Sequence, residues 1–188
     1  MIAFIGLGNN GEKYSNTKHN AGFWVVDEFV KKLHLSFVPG NGEYVYAQHK
    51  RWQAIVVKPT TGMNRSGNAI KEVITKWDIN LKDLYVVLDD VDLPLGSMRV
   101  RPKGGDGCHR GLENIIYQLQ SEKFPRVRLG IGTDTNMRPA EEYVLKPFHK
   151  KDEIKIDMMI NNGASALENI LVHGISHTMN NFNSNYKE

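Results

Sequence analysis

The stretch from Ile5 to Phe23, I-G-L-G-N-N-G-E-K-Y-S-N-T-K-H-N-A-G-F, begins as the end of an apolar strand and finishes as the start of an amphipathic helix. A connection between a core strand and a core helix needs only a few residues. This one is long and polar, made of glycines, amides, hydroxyls, a tyrosine and one histidine, His19. Polar side chains displayed between two rigid elements are where binding and catalysis concentrate. The loop therefore reads as a site.

Upstream, Met1 to Leu7 is an apolar run ended by glycine, the pattern of a strand buried on both faces. It is too short for a signal peptide or a membrane span, so it reads as a buried first strand, and the single cysteine, Cys108, fits the reducing cytoplasm expected as the chain's location. Downstream, Gly22, Val26, Phe29, Val30 and Leu33 recur at helical spacing and predict a helix from about Asn20 to Leu33. Glu43 to His49 and Gln53 to Val57 alternate as strands around a turn at Lys50-Arg51-Trp52. A helix carries Ile70, Val73, Ile74 and Trp77, with Asn64 or Ser66 available to cap it. Leu84 to Leu88 is a second apolar strand, running into Asp89-Asp90-Val91-Asp92. Gly96 to Arg101 and Val127 to Gly132 predict two more strands. Between them, a helix with Leu112, Ile115, Ile116 and Leu119 follows a glycine-rich turn, and a last helix carries Ile156, Met159, Ile160, Ala164, Leu167 and Leu171. Helices alternating with buried strands give one α/β domain over residues 1–188, three layers thick. Its twisted sheet is expected to be mixed but mostly parallel, with helices on both faces.

The bulk numbers agree. A chain of 188 residues, 40% hydrophobic and 24% charged, can bury a full core. The single cysteine, Cys108, excludes an internal disulfide. A net charge of +3 is mild, but the basic residues gather in the second half. Arg99, Arg101, Lys103, Arg110, Arg126 and Arg128 surround the glycine turn Lys103–Gly111, a pattern that suits a polyanion-binding face.

Gly6-Leu7-Gly8-Asn9-Asn10-Gly11 matches the dinucleotide fingerprint, but that motif needs a helix opening at its glycines, and here the helix begins well after them. A nucleotide cofactor is not expected. His19 stands at the entry of the first helix, where the positive end of the dipole would keep its ring neutral. A neutral imidazole is what a general base requires, with activity rising through roughly pH 6–7. Asp89, delivered at the end of a central strand, is placed to fix its tautomer. Asp90 and Asp92 read as a solvated turn. Nothing matches a nucleophile elbow, and no His, Cys or carboxylate cluster has metal-ligand spacing along the chain. Neither a metal nor a cofactor is implied.

Five ordered motifs then resemble the bacterial peptidyl-tRNA hydrolase family: the opening loop, K-P-T-T-G-M-N-R-S-G, D-D-V-D-L-P-L-G, G-G-D-G-C-H-R-G-L and F-P-R-V-R-L-G-I-G. The resemblance runs from Phe4 to about Asn183, nearly the whole chain. The resemblance implies an α/β fold and hydrolysis of the ester joining a peptide to the 3′-oxygen of tRNA. It makes His19 the base that activates water and Asp89 its orienting carboxylate. Asn9 and Asn64 would hold the peptide, the water or the oxyanion. Tyr14 and Met63 would line the groove, and His109 would border the peptide channel. Arg101, Lys103 and Arg128 are the candidates for tRNA phosphates, and a monomer is the default. An ester is already activated, so a positioned water, a base and amide donors suffice.

The chain also departs from the family's pattern. Asn10, Lys18, Gly62, Arg65 and Cys108 stand where the family usually has other residues. Arg110 stands where it has a substrate-positioning asparagine. Arginine donates but cannot accept, and it adds a fixed charge. Two readings follow: an esterase on peptidyl-tRNA with an altered substrate shell, or an RNA-binding relative without turnover. The second needs none of His19, Asp89, Asn9 and Asn64.

Overall fold

A computed structural model describes residues 1–133 and 137–183 of the chain. Seven strands form one sheet: β1 (Ile2–Gly6), β2 (Val38–Pro39), β3 (Tyr44–His49), β4 (Ala54–Pro59), β5 (Leu84–Pro94), β6 (Met98–Arg101) and β7 (Arg126–Gly132). Their order is β2-β3-β4-β1-β5-β7-β6. The four central strands β4, β1, β5 and β7 run parallel, and the flanking pairs are antiparallel. Five α-helices accompany them: α1 (Ala21–Lys32), α2 (Ser66–Trp77), α3 (Arg110–Leu119), α4 (Ala140–Val144) and α5 (Glu153–Phe182).

The period of two along β1 decides which layer each side chain joins. Ala3, Ile5 and Leu7 point into one core with Ile70 and Val73 of α2 and Leu112 and Ile115 of α3. Phe4 points into the other, with Val25, Val26 and Phe29 of α1 and Met159, Ala164 and Leu167 of α5. Both faces are thus covered, which is why β1 and the first half of β5, Leu84 to Leu88, contain no charged residue. Among the described residues the mixed, mostly parallel sheet and its two helical layers fulfil the expected α/β architecture.

Several boundaries differ from expectation. Strand β5 does not end at Leu88 but continues to Pro94, and its pairing with β7 slips between Asp90 and Pro94. Asp90 and Asp92 therefore belong to a bulged strand and not to a turn, although Asp92 is solvated as expected. Neither Asn64 nor Ser66 caps α2 through its side chain; the hydroxyl of Ser66 donates back to the Met63 carbonyl. One open backbone group at that end, the Gly67 N–H, finds its acceptor on α3, in Asn114 Oδ1 at 2.8 Å. The short elements β2 and α4 carry too few residues for periodicity to register. Strand β6 forms a sheet edge, and Asn183, just past α5, pairs with both the N–H and the carbonyl of Val100. That occupies backbone groups an edge would otherwise leave open.

Glycine at 22 fixes how closely α1 approaches the sheet. A Cβ there would lie 2.4 Å from the Val87 carbonyl oxygen and 2.6 Å from that of Leu7. The first turn of α1 thus rests on the backbone of the central strands, and the residues just before it, including His19, are held over β5.

Candidate active site

His19 lies in a 3₁₀ turn, Lys18–Asn20, that opens directly into α1. The turn is clamped from both sides. On one, Asn20 exchanges two hydrogen bonds with the backbone of Asn9, its Oδ1 accepting at 2.7 Å and its Nδ2 donating at 3.0 Å. On the other, Lys18 is almost fully buried. Its ammonium donates to the carbonyls of Lys146 and Pro147 and lies 4.3 Å from the ring centre of Tyr143 in α4. Burial, then repulsion from Lys146, pushes the Lys18 pKa down. Nothing in the sequence marks this lysine as internal, since a lysine among polar residues reads as solvated.

Across the sheet, β5 presents Asp89, 2% exposed. Its carboxylate accepts from two imidazoles. His19 Nδ1 lies 2.9 and 3.0 Å from the two oxygens, and His109 Nε2 lies 3.0 Å from Oδ1. His109 is in turn the N-cap of α3, its Nδ1 accepting from the Leu112 N–H. That bond fixes the proton of His109 on Nε2, where the carboxylate receives it. With Nδ1–H of His19 given to Asp89, its Nε2 carries the free lone pair.

The electrostatics follow. Burial alone would raise the Asp89 pKa, but the charges of His19 and His109 and their hydrogen bonds outweigh it and hold the carboxyl well below the ordinary 3.8. Burial likewise works against a charged His19, yet the Asp89 charge and hydrogen bond prevail, and its pKa lies above the ordinary 6.5. The helix dipole therefore does not set the protonation of His19 as expected from sequence. The carboxylate, in direct contact within a buried site, exerts the stronger field.

These groups open on a cleft of about 750 Å³. Its wall includes Asn9, His19, Met63, Asn64, Asp89, His109, Arg110 and Arg128, as well as Asn114, which nothing in the sequence had singled out. Asn9 Oδ1 accepts from the Met63 N–H at 2.9 Å, which commits the oxygen of its amide to the backbone. Tyr14 is not part of this wall; its ring sits 4.7 Å from the Lys13 ammonium. Gly62 is not part of it either, and a Cβ there would make only ordinary contact with Asn64.

Arg110 stands at the mouth, its guanidinium donating to Glu141 at 2.8 Å and Glu113 at 3.4 Å. Arg128 faces Asp90 at 2.9 Å, a charge pair without an aligned hydrogen bond. Arg101 and Lys103 are exposed and lie outside the cleft. Arg126 is not on the basic surface expected of it. It is 1% exposed and donates to the carbonyls of Gly104, Gly105, Glu122 and Phe124, tying the glycine loop to the sheet. Nor is the start of α3 an open phosphate cradle, because the His109 imidazole occupies it.

The fold also brings together what chain spacing kept apart: His19, Asp89 and His109 offer three ligand atoms within 4.8 Å of one another. A metal ion there would have to displace both N–H donors from the carboxylate. As it stands, the set is a satisfied hydrogen-bonded cluster. An imidazole with one nitrogen committed and the other open, beside oriented amides, defines a hydrolytic type of site suited to an activated acyl bond.

Comparison with known proteins agrees. The family model for peptidyl-tRNA hydrolase matches residues 3–188. A peptidyl-tRNA hydrolase of Persephonella marina is 37% identical over 180 residues, 95% of each chain, and that of Sulfurihydrogenibium is 39% identical over 184 residues, 97% of each. The crystal structure of peptidyl-tRNA hydrolase from Acinetobacter baumannii superposes with a TM-score of 0.89 at 26% identity, covering 98% of this chain and 95% of that one. The chain belongs to the peptidyl-tRNA hydrolase family.

Proposed function

We propose that this protein hydrolyses the ester between a peptidyl or N-acyl-aminoacyl group and the 3′-oxygen of tRNA, with His19 as general base. The observation that carries the reading is the Asp89 carboxylate shared between two imidazoles. It commits Nδ1–H of His19 and leaves Nε2 to take a proton. Water in the cleft attacks the ester carbonyl carbon while Nε2 removes its proton. The oxyanion that forms is stabilised by amide donors, with Asn9 Nδ2 and Asn64 as candidates. The bond to the ribose oxygen then breaks, and the proton held by His19 passes to that oxygen, giving tRNA with its 3′-hydroxyl restored and a free peptide carboxylic acid, which releases its remaining proton to solvent.

The tRNA would lie along the edge of the sheet. Arg99 stands opposite Arg128, and Arg101 opposite Arg126, so four guanidiniums share one face of β6 and β7. Like charges directly opposite destabilise a sheet, and phosphates would relieve the exposed part of that repulsion. Arg101 and Lys103, which have no acidic partner among the described residues, are the residues we assign to the phosphate backbone, with Arg128 nearest the cleft. Arg110 is held by Glu113 and Glu141, so it frames the entrance instead of donating freely to substrate. No helix among the described residues is long and apolar enough to cross a membrane. The encounter with tRNA that we propose is that of a monomer in the cytoplasm.

Release of N-acetyl-amino acid from N-acetyl-aminoacyl-tRNA tests the reading. Wild type should turn over and His19→Ala should lose about a hundredfold or more. Absence of turnover in both, with salt-sensitive tRNA binding retained, would leave the RNA-binding alternative.

A further inference from the structure

Asn114 has two halves with different surroundings. Its Oδ1 is taken by the Gly67 N–H at 2.8 Å, an open donor of the first turn of α2. The two helices meet so closely there that a Cβ on residue 67 would lie 2.6 Å from the Asn114 carbonyl oxygen. The amide is thereby locked in one orientation. Its other half, Nδ2, has no partner among the described residues, and Asn114 lines the catalytic cleft. Capping α2 requires only the oxygen. The amide nitrogen is left over, and it is aimed by a bond on its far side.

The same construction occurs on the opposite wall. Asn9 Oδ1 is held by a backbone N–H, that of Met63, and its Nδ2 likewise has no partner among the described residues. The cleft thus offers two preset amide donors from different elements, one on the β1 loop and one on α3. Arg110, one helical turn before Asn114 on α3, is engaged by two glutamates. On the α3 wall of this cleft, the Asn114 amide is held in place by α2 and keeps a donor open. A peptide carries what two spaced N–H donors would read: carbonyl oxygens repeated along a backbone.

We propose that Asn114 is a substrate-contacting residue whose Nδ2–H donates to a carbonyl oxygen of the peptidyl group. It recognises the acyl portion of the substrate and not the tRNA. The inference rests on the proposed function for the identity of the ligand, and its test is built to separate the two.

The decisive variant is Asn114→Asp, compared with Asn114→Ala. Aspartate keeps an oxygen for the Gly67 N–H while replacing the cleft-facing donor with an acceptor; alanine removes both. In a His19→Ala background, where the ester survives, affinities for N-acetyl-aminoacyl-tRNA and for deacylated tRNA are measured side by side. Both variants should lose about three- to tenfold in the ratio of the two affinities, the loss of one hydrogen bond, with deacylated tRNA binding falling little in Asn114→Ala. In the His19 enzyme the same loss should appear in KM for the acylated substrate, with the pH profile unmoved. If Asn114→Asp keeps the acyl preference and only Asn114→Ala loses it along with thermal stability, Asn114 is a helix cap and nothing more. If wild type turns over no substrate while the acyl preference is still lost in Asn114→Asp, the hydrolytic reading fails and this one stands.

Discussion

Replacing Asp89 with asparagine changes one oxygen for an NH₂ group and removes the charge that organises the cluster. In the wild type, burial lowers the His19 pKa and the carboxylate more than offsets it, so the imidazole titrates above 6.5. A unit charge at such a distance, even in a medium of effective dielectric near 20, is worth about 4 kcal/mol before opposing terms. With asparagine that attraction vanishes and burial remains, so the pKa of His19 should fall below 6.5. The tautomer should suffer as well. Asp89 Oδ1 serves both His19 and His109, while Oδ2 lies 3.0 Å from His19 Nδ1. An amide nitrogen in the Oδ2 place would confront the Nδ1–H donor and favour the tautomer with the proton on Nε2, which cannot act as a base. We expect kcat to fall on the order of 10²- to 10³-fold. The assay is kcat/KM for release of N-acetyl-amino acid across pH 5–9. Wild type should give a rising limb centred above pH 6.5, and Asp89→Asn a weaker one centred below it. A variant limb that stays above 6.5, or a loss smaller than about threefold, would refute the account of how His19 is activated.

The same carboxylate should leave a mark on stability. Its pKa in the folded state lies below the unfolded 3.8, so its contribution is complete above about pH 3.8 and is lost as pH falls through the folded value. Urea midpoints taken from about pH 6 to pH 2 should therefore drop more steeply in wild type than in Asp89→Asn. Arg126→Ala leaves four carbonyls of the glycine loop and of the connection between α3 and β7 without their donor. It should cost about 3 kcal/mol or more in urea unfolding, and Arg126→Lys should recover little, since an ammonium lacks the planar fork. Arg101→Ala and Lys103→Ala should each lower the slope of log affinity for tRNA against log salt by about one. Neither should alter kcat, and an unchanged slope would remove these residues from the phosphate contact.

The sequence by itself determined the architecture. Alternating apolar strands and amphipathic helices admit few arrangements, and both cores assembled as the periodicity of β1, α1 and α3 required. It also flagged His19 and Asp89, because a polar loop after one buried strand and an acid after another converge at the same edge of a parallel sheet. What it could not supply is how each polar group is spent, since a donor's partner is set by contacts far apart in the chain. Lys18 became an internal clamp, Arg126 a staple under the glycine loop, and Asp90 the counter-charge of Arg128. His109 became both the cap of α3 and the second donor to Asp89. The direction of the His19 pKa shift was decided in the same way. A helix dipole can be read from position in the chain, whereas a buried carboxylate at 2.9 Å exists only once two distant strands and a turn have packed. Asn114 shows the limit most clearly. It is an ordinary helical asparagine in the sequence, and only the close crossing of α2 and α3 fixes its oxygen and turns its nitrogen to the cleft.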